Sequence, residues 1–259
     1  MATTPGIPIS FIVPALNEQA VLESFIEQVL HVLHDRFRDY EVLLINDGST
    51  DSTGAIMERL AEKHERVRVL HNERNIGWGA SYQRGLREAQ YDYVMLLCGD
   101  GGLPAHSLPS ILDQIGKADI VIPYMTNLRK LKSTTRFIMS RGYTTLLNLL
   151  FGLHLRYYNG LPVHRRDLLQ SITITSGGFG FQAEILIKLI KSGCTYVEVG
   201  VDGAEETNRS SAMRLKNWLS VGRTILHLVK DVASFSPISA DIIARRHNST
   251  TKKGNTVRQ

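Results

Sequence analysis

Three short polar clusters carry the residues best suited to chemistry. They read Pro14-Ala15-Leu16-Asn17-Glu18, Asn46-Asp47-Gly48-Ser49-Thr50-Asp51 and Gly99-Asp100-Gly101-Gly102, and each follows a run of apolar, largely β-branched residues. Taken alone, Asp-Gly-Ser-Thr-Asp is a common turn and helix cap, and an aspartate among glycines is ordinary turn chemistry. Ligands of open parallel sheets bind outside the carboxyl ends of the strands, and all three clusters fall there. Carboxylates so placed can hold a hard divalent cation and accept hydrogen bonds from a base or ribose. Mg²⁺ or Mn²⁺ bound by one or two carboxylates usually carries substrate phosphates. The pattern therefore points to a nucleoside diphosphate and a metal.

The elements that must position these clusters are legible in the first 123 residues. Ile9 to Val13, Glu41 to Ile45, Val67 to Leu70, Tyr93 to Leu97 and Asp119 to Ile122 are nearly continuous hydrophobic runs, as expected of parallel strands covered on both faces. Val21, Leu22, Phe25, Ile26, Val29, Leu30 and Leu33 recur at helical spacing between the first two. Ser49 or Asp51 can cap a second helix, and a glycine turn opens a third from Gly77 to Ala89. Alternation of this kind implies an α/β fold with right-handed crossovers. Gly77-Trp78-Gly79 does not make a dinucleotide fingerprint, because it does not follow the first strand and position 82 is Tyr82; Trp78 and Tyr82 read as packing residues.

After Pro123 the texture changes. A basic segment from Arg129 to Arg141 leads into a long helical stretch, then a turn at Asn159-Gly160-Leu161-Pro162, a helix from Gln182 to Lys191, a strand from Thr195 to Val201 and an amphipathic helix from Trp218 to Val232. The tail, polar and basic from Arg245, reads as flexible. Of the 259 residues, 43% are hydrophobic and 21% charged, which suits one medium domain. The net charge of +5 hides an asymmetry: residues 1–119 carry 10 Lys and Arg against 17 Asp and Glu, residues 120–259 carry 20 against 8. A basic half can bind nucleic acid, an anionic membrane surface or a phosphorylated substrate. With no aromatic stacking platform among the basic residues, nucleic acid is the weakest of these.

The apolar run Leu146 to Leu155 is interrupted by Asn148 and His154 and falls short of the ~20 residues of a membrane span. The start of the chain lacks a signal-peptide pattern, so a cytoplasmic protein is expected. Cys98 and Cys194 lack Cys-x-x-Cys spacing and read as buried, reduced thiols.

In order and spacing, these motifs resemble the family 2 glycosyltransferases of GT-A fold, and among them the polyprenyl-phosphate (dolichol-phosphate) mannose or glucose synthases. The resemblance runs from about Ile9 to Val232. It includes Ile12 to Glu18, Ile45 to Thr53, Arg74-Asn75-Ile76-Gly77-Trp78-Gly79-Ala80, Asp100 to Pro104, Arg136-x-x-x-Ser140-Arg141-Gly142, Asn159-Gly160 followed by Arg165-Arg166, and Phe181-Gln182-Ala183-Glu184.

What the resemblance implies is a Rossmann-like, mostly parallel sheet flanked by helices in one domain over residues 1–235. A nucleotide-binding half (7–123) would be followed by an acceptor half (124–235), with a basic tail at 236–259. It implies inverting transfer of a hexose from a UDP- or GDP-sugar. Pro14, Leu16, Glu18, Asp47, Gly99 and Asp100 would line the nucleotide site, and Asp100 would bind Mg²⁺ or Mn²⁺. Arg136 and Arg141, with Arg165, Arg166, Gln182 and Arg209, would meet phosphates of the donor or of the acceptor. A polyprenyl-phosphate acceptor is already ionised and needs no strong base. A glycan or other hydroxyl acceptor does need one, and Glu184 is the candidate.

The sequence departs from the family pattern in four places. Cys98 stands at the first aspartate of Asp-x-Asp, Asn46 precedes Asp47, the arginine common after the fifth strand is missing from Pro123-Tyr124-Met125-Thr126, and the late basic motif is loosened to Arg209-Ser210-Ser211-Ala212-Met213-Arg214. These departures keep open a non-catalytic, nucleotide-sugar-binding domain. The Tyr143 to Leu155 stretch reads equally as a core helix or as one lying in a membrane interface on the cytoplasmic side, and oligomeric state is left open.

Overall fold

The computed structural model describes residues 7–239 except 132, 177, 179 and 204–224, together with residue 243. Seven strands form one sheet in the order β3-β2-β1-β4-β6-β5-β7. The first three are β1 (Ile9–Ala15), β2 (Tyr40–Asn46) and β3 (Val67–His71), followed by β4 (Tyr93–Leu96), β5 (Ile120–Met125), β6 (Val163–Arg165) and β7 (Tyr196–Val201). Every residue of β1 and β2 is buried, which is why these strands read as unbroken apolar runs. The helices are α1 (Leu22–Arg36), α2 (Thr53–Lys63), α3 (Trp78–Glu88), α4 (Leu108–Leu112), α5 (Leu128–Leu131), α6 (Thr134–Phe151), α7 (Arg166–Gln170) and α8 (Phe181–Lys191). The apolar stripe read for α1 is the buried one, from Leu22 to Leu33.

All pairings are parallel except those of β6, which runs antiparallel to both β4 and β5. The expectation of phosphate contacts by Arg165 and Arg166 fails here. Arg165 pairs in register with Tyr93, the first residue of β4, and so lies at the edge opposite the strand ends that carry the polar clusters. Its guanidinium donates to Asp119 (3.0 Å), while Arg166 donates to the carbonyl of Ala89 (3.0 Å). Three residues are too few to show a period, so β6 left no sequence signal beyond the turn before it.

The second half thus adds β6 and β7 to the sheet begun by the first. The helix read from Trp218 lies partly outside the described residues, of which 225–233 are helical. Asp119 ties β6 to the start of β7. It accepts from Arg165 and from the N–H (2.9 Å) and hydroxyl (2.8 Å) of Thr195. Burial alone would raise its carboxyl; the Thr195 hydrogen bonds and Arg165 together hold it below the usual 3.8. A carboxyl lowered in the folded state stabilises above its unfolded value and loses that contribution as pH falls through the folded one. Asp119→Asn should therefore cost ~3 kcal/mol in urea unfolding at pH 7, because it leaves the largely buried Arg165 guanidinium only the half-exposed Asp167 (3.5 Å) as an ionic partner, and the gap to wild type should narrow below about pH 4. An equal gap at both pH values would contradict this account.

Candidate functional site

The three polar clusters meet at the carboxyl edge of the sheet, because β2, β1 and β4 are neighbours running the same way. The loop after β1 is laced to the loop after β2. Asn17, at φ +57°, donates its N–H to the Ser49 hydroxyl (3.1 Å) and accepts from the Thr50 N–H (2.9 Å). Glu18 donates its N–H to the Thr53 hydroxyl (2.8 Å), and the Ser52 N–H reaches Gln19 (3.0 Å). Asp51 accepts from the Thr53 N–H (2.9 Å) at the start of α2, but the N-cap position itself falls on Ser52, whose side chain makes no capping bond, rather than on Ser49 or Asp51. The loop after β4 packs against β1 through Gly99, where an added Cβ would lie 2.7 Å from that of Ala15. Pro14 and Gly99 are buried and Leu16 is exposed at the mouth.

Asp47 is buried, and its oxygens accept from the Asn72 amide (2.9 Å), the Ile76 N–H (2.9 Å) and the Gly77 N–H (3.0 Å). In this structure it fastens the 72–77 loop to the end of β2. Gly48, at φ +73°, lets that loop pass, since a Cβ there would sit 2.5 Å from the Arg74 carbonyl carbon and the Asn75 nitrogen. Asn46 has a local role as well: its Oδ1 accepts from the Ser49 N–H (2.9 Å), and its Nδ2 lies 2.9 Å from His71 Nδ1. Trp78 and Tyr82 pack on Phe181, with ring centroids at 5.1 and 5.4 Å, as packing residues should.

Asp100 is exposed, and one of its oxygens accepts from the Gly102 N–H (3.0 Å). Burial first, then the negative charges of Asp100 and Asp51, push the half-buried Glu18 carboxyl above its usual range. A carboxyl raised by two like-charged neighbours marks a place where a cation would relieve repulsion. Cys98 is half-buried rather than buried, and burial followed by Asp100 and Glu18 raises its thiol well above the usual value. A neutral thiol is a poor ligand for a hard cation, so Asp100 is the hard donor of this loop. No group of three His, Cys, Asp or Glu among the described residues could hold a metal by itself. The donor set fits a cation that takes one carboxylate from the protein and its other ligands from phosphate oxygens and water.

Two sequence expectations for the acceptor side are corrected. Glu184 is fully buried; it accepts from the Thr175 N–H (2.8 Å), the Ser176 N–H (2.7 Å) and Lys188 Nζ (2.7 Å). Lys188 also meets Asp231 in the 225–233 helix. A carboxylate saturated in the core cannot take a proton from an acceptor, so Glu184 is structural. Gln182 is likewise enclosed, accepting from the Leu161 N–H (3.3 Å) and thereby pinning the turn at 159–162. Arg209 lies outside the described residues.

A cavity of about 480 Å³ opens at the carboxyl end of β5. Its lining includes Tyr124, Thr126, Arg129, Phe137, Arg141, Arg156 and Tyr157, with three guanidinium groups and no carboxylate. Arg141 was expected near a phosphate; Arg136 does not line this cavity. Arg129 and Arg156 escaped sequence reasoning. Arg156 donates to the Tyr124 hydroxyl (2.6 Å), and its guanidinium lies 4.7 Å from the centre of that ring. A guanidinium thus reaches the end of β5, where the strand's own sequence lacks one. Its placement depends on how α6 packs, which no local pattern encodes. Since β6 alone separates β4 from β5, the two strands that lead to the Asp100 loop and to the cavity are ~10 Å apart in the sheet.

A mostly parallel sheet flanked by helices, with its polar loops gathered at one edge, defines a GT-A glycosyltransferase fold. The chain belongs to the glycosyl transferase family 2, whose model matches residues 10–189. It is 29% identical over 216 residues to undecaprenyl-phosphate mannosyltransferase of Micrococcus luteus, covering 78% of this chain and 86% of that protein. It is 28% identical over 223 residues to polyprenol monophosphomannose synthase of Mycolicibacterium smegmatis, covering 80% and 81%. Other relatives are longer, this chain matching 36% of the length of two of them. Among solved structures, glucosyl-3-phosphoglycerate synthase of Mycobacterium tuberculosis, crystallised with Mn²⁺, UDP-glucose and phosphoglyceric acid, superposes with a TM-score of 0.64 at 23% identity, over 87% of this chain and 80% of that one.

Asp47→Asn is expected to lower stability by ~2–3 kcal/mol, the scale of hydrogen bonds to a charged group, and to speed hydrogen exchange at the Ile76 and Gly77 amides. Unchanged protection of both amides would show that Asp47 does not hold the loop.

Proposed function

We propose that the chain transfers a hexose from a UDP- or GDP-sugar to polyprenyl phosphate at the cytoplasmic face of a membrane, with inversion at the sugar. The observation that carries this reading is the carboxylate-free cavity of Arg129, Arg141 and Arg156 on the sheet edge that also bears Asp100. Guanidinium groups bind phosphate oxygens in pairs, and Phe137 and Tyr157 give the same cavity an apolar wall for the start of a lipid chain. The names of the bacterial relatives support the acceptor, and the UDP-glucose complex supports a nucleotide-sugar donor.

Leu16, Glu18 and the loops held by Asp47 shape the donor pocket, with Pro14 and Gly99 setting how closely the β1 and β4 loops approach. Asp100 would hold Mg²⁺ or Mn²⁺. When bound, that ion neutralises charge developing on the departing diphosphate. The acceptor phosphate is ionised at neutral pH, so its oxygen attacks the anomeric carbon without a protein base. The engagement of Glu184 in the core favours this over a hydroxyl acceptor, which would lose its candidate base.

Nucleotide release measured with UDP- and GDP-sugars, either metal, and polyprenyl phosphate present or absent tests the reading. Release should require metal and lipid, and Asp100→Ala should reduce it by ~100-fold or more. Lipid-independent release onto a glycan would favour the hydroxyl acceptor, and absence of release with any donor would favour a binding domain. Arg141→Gln should raise KM for polyprenyl phosphate about tenfold, the worth of one charge-assisted contact, with KM for the nucleotide sugar unchanged. An equal rise in both would place Arg141 at the donor instead.

A further inference from the structure

The ends of β2 and β3 carry a series of hydrogen bonds that leads from a surface carboxylate to the loops at the carboxyl edge of the sheet. Asn46 and His71 are in register on these two parallel strands, so their side chains stand side by side on one face. Helix α2 packs there. At Gly54 an added Cβ would lie 2.8 Å from Asn46 Nδ2 and 3.5 Å from His71 Cε1, so the missing side chain makes room for the pair. Glu58, four residues on and on the same side of α2, meets His71 Nε2 at 2.6 Å.

The polarity of the series follows from its fixed end. The Ser49 N–H can only donate, so the Asn46 atom facing it at 2.9 Å is Oδ1. Nδ2 is then the atom 2.9 Å from His71 Nδ1, and a ring nitrogen that faces an NH₂ group must accept. The ring proton is therefore on Nε2, where Glu58 receives it. A side chain at position 71 that only donates would turn the Asn46 amide over and set its NH₂ against the Ser49 N–H. Beyond Ser49, the series continues. The Ser49 hydroxyl accepts from the N–H of Asn17 (3.1 Å), a residue at φ +57°, where a side chain is disfavoured and the turn must be held by its partners. Leu16 and Glu18, on either side of Asn17, are the residues proposed to shape the donor pocket.

We infer that His71 is a positioning residue of the donor site: its ring holds the Asn46 amide in the one orientation that fastens Ser49 and, through Ser49, the turn at Asn17. This deepens the proposed function and rests on it for the identity of what the loop binds. It also accounts for Asn46 itself. An aspartate there has no hydrogen to give Nδ1, so it would demand a second proton on the ring and place another carboxylate next to Asp47.

Two variants of the full chain, His71→Gln and His71→Lys, test the inference. Glutamine can accept from Asn46 and still donate to Glu58, whereas a lysine ammonium keeps the contact with Glu58 but cannot accept. Nitrogen NMR of the histidine rings in mildly alkaline solution should show His71, identified by its loss in His71→Gln, with Nδ1 bare and the proton on Nε2. Hydrogen exchange at the Ser49 and Asn17 amides should be roughly five- to tenfold faster in His71→Lys, the worth of one hydrogen bond, and within about twofold of wild type in His71→Gln. The dissociation constant for UDP or GDP with Mg²⁺ should rise severalfold in His71→Lys alone. A proton on Nδ1, equal exchange in the two variants, or nucleotide affinity untouched by faster exchange at Ser49 would each overturn the inference. A wild-type chain that binds nucleotide but transfers no sugar would remove the proposed reaction and leave the role of His71 standing, so the two fail separately.

Discussion

The first half of the chain depends on one buried carboxylate. Asp47 sits at the end of a fully buried strand, where an unpaired charge would be prohibitive, and it is tolerable only because Asn72, Ile76 and Gly77 turn three N–H groups on it. Those donors come from the end of β3 and the loop before α3, so satisfying one side chain fixes the relative position of three elements. Gly48 is the steric counterpart, removing the side chain that would hold the loop away. From there the order propagates: α3 begins at Trp78, whose ring meets Phe181 of α8 edge-on, carrying the geometry of the donor loops into the second half of the chain.

The second half of the chain is organised around ion pairs. Asp119 with Arg165, and Lys188 with Glu184 and Asp231, lie in or near the core and join elements distant in sequence. Asp119 and Glu184 are thus consumed inside the fold and Arg156, after α6, lies beside Glu198 (3.8 Å), while Arg129 and Arg141 line the open cavity.

Much of this was legible beforehand because the governing signals are local. Continuous apolar runs located β1 to β5 within a few residues, α1 followed from its stripe, and the three polar clusters fell at strand ends where the sheet topology brings them together. What escaped was set by tertiary packing. β6 is three residues long and antiparallel, so Arg165 and Arg166 read as surface cations when they face the wrong edge. Glu184 and Gln182 sit on a helix buried on almost every side, and a sequence cannot say that a carboxylate four residues before a lysine is enclosed with it. Arg156 came to the end of β5 by way of the α6 connection, replacing in space a residue absent from the strand.

The position of β6 also dictates an order of assembly. β1, β2, β3 and β4 pair among themselves using residues no later than 96, so this part of the sheet can form while the rest is still being synthesised. β5 can join the sheet only through β6, in a register set by Val163 and His164, and β7 must then be laid on β5's far side. Long loops must close before either contact is gained, which is the slow part of folding such a sheet. The nascent chain thus presents an open β4 edge, and a truncation anywhere before residue 163 would leave that edge exposed to pairing with another chain.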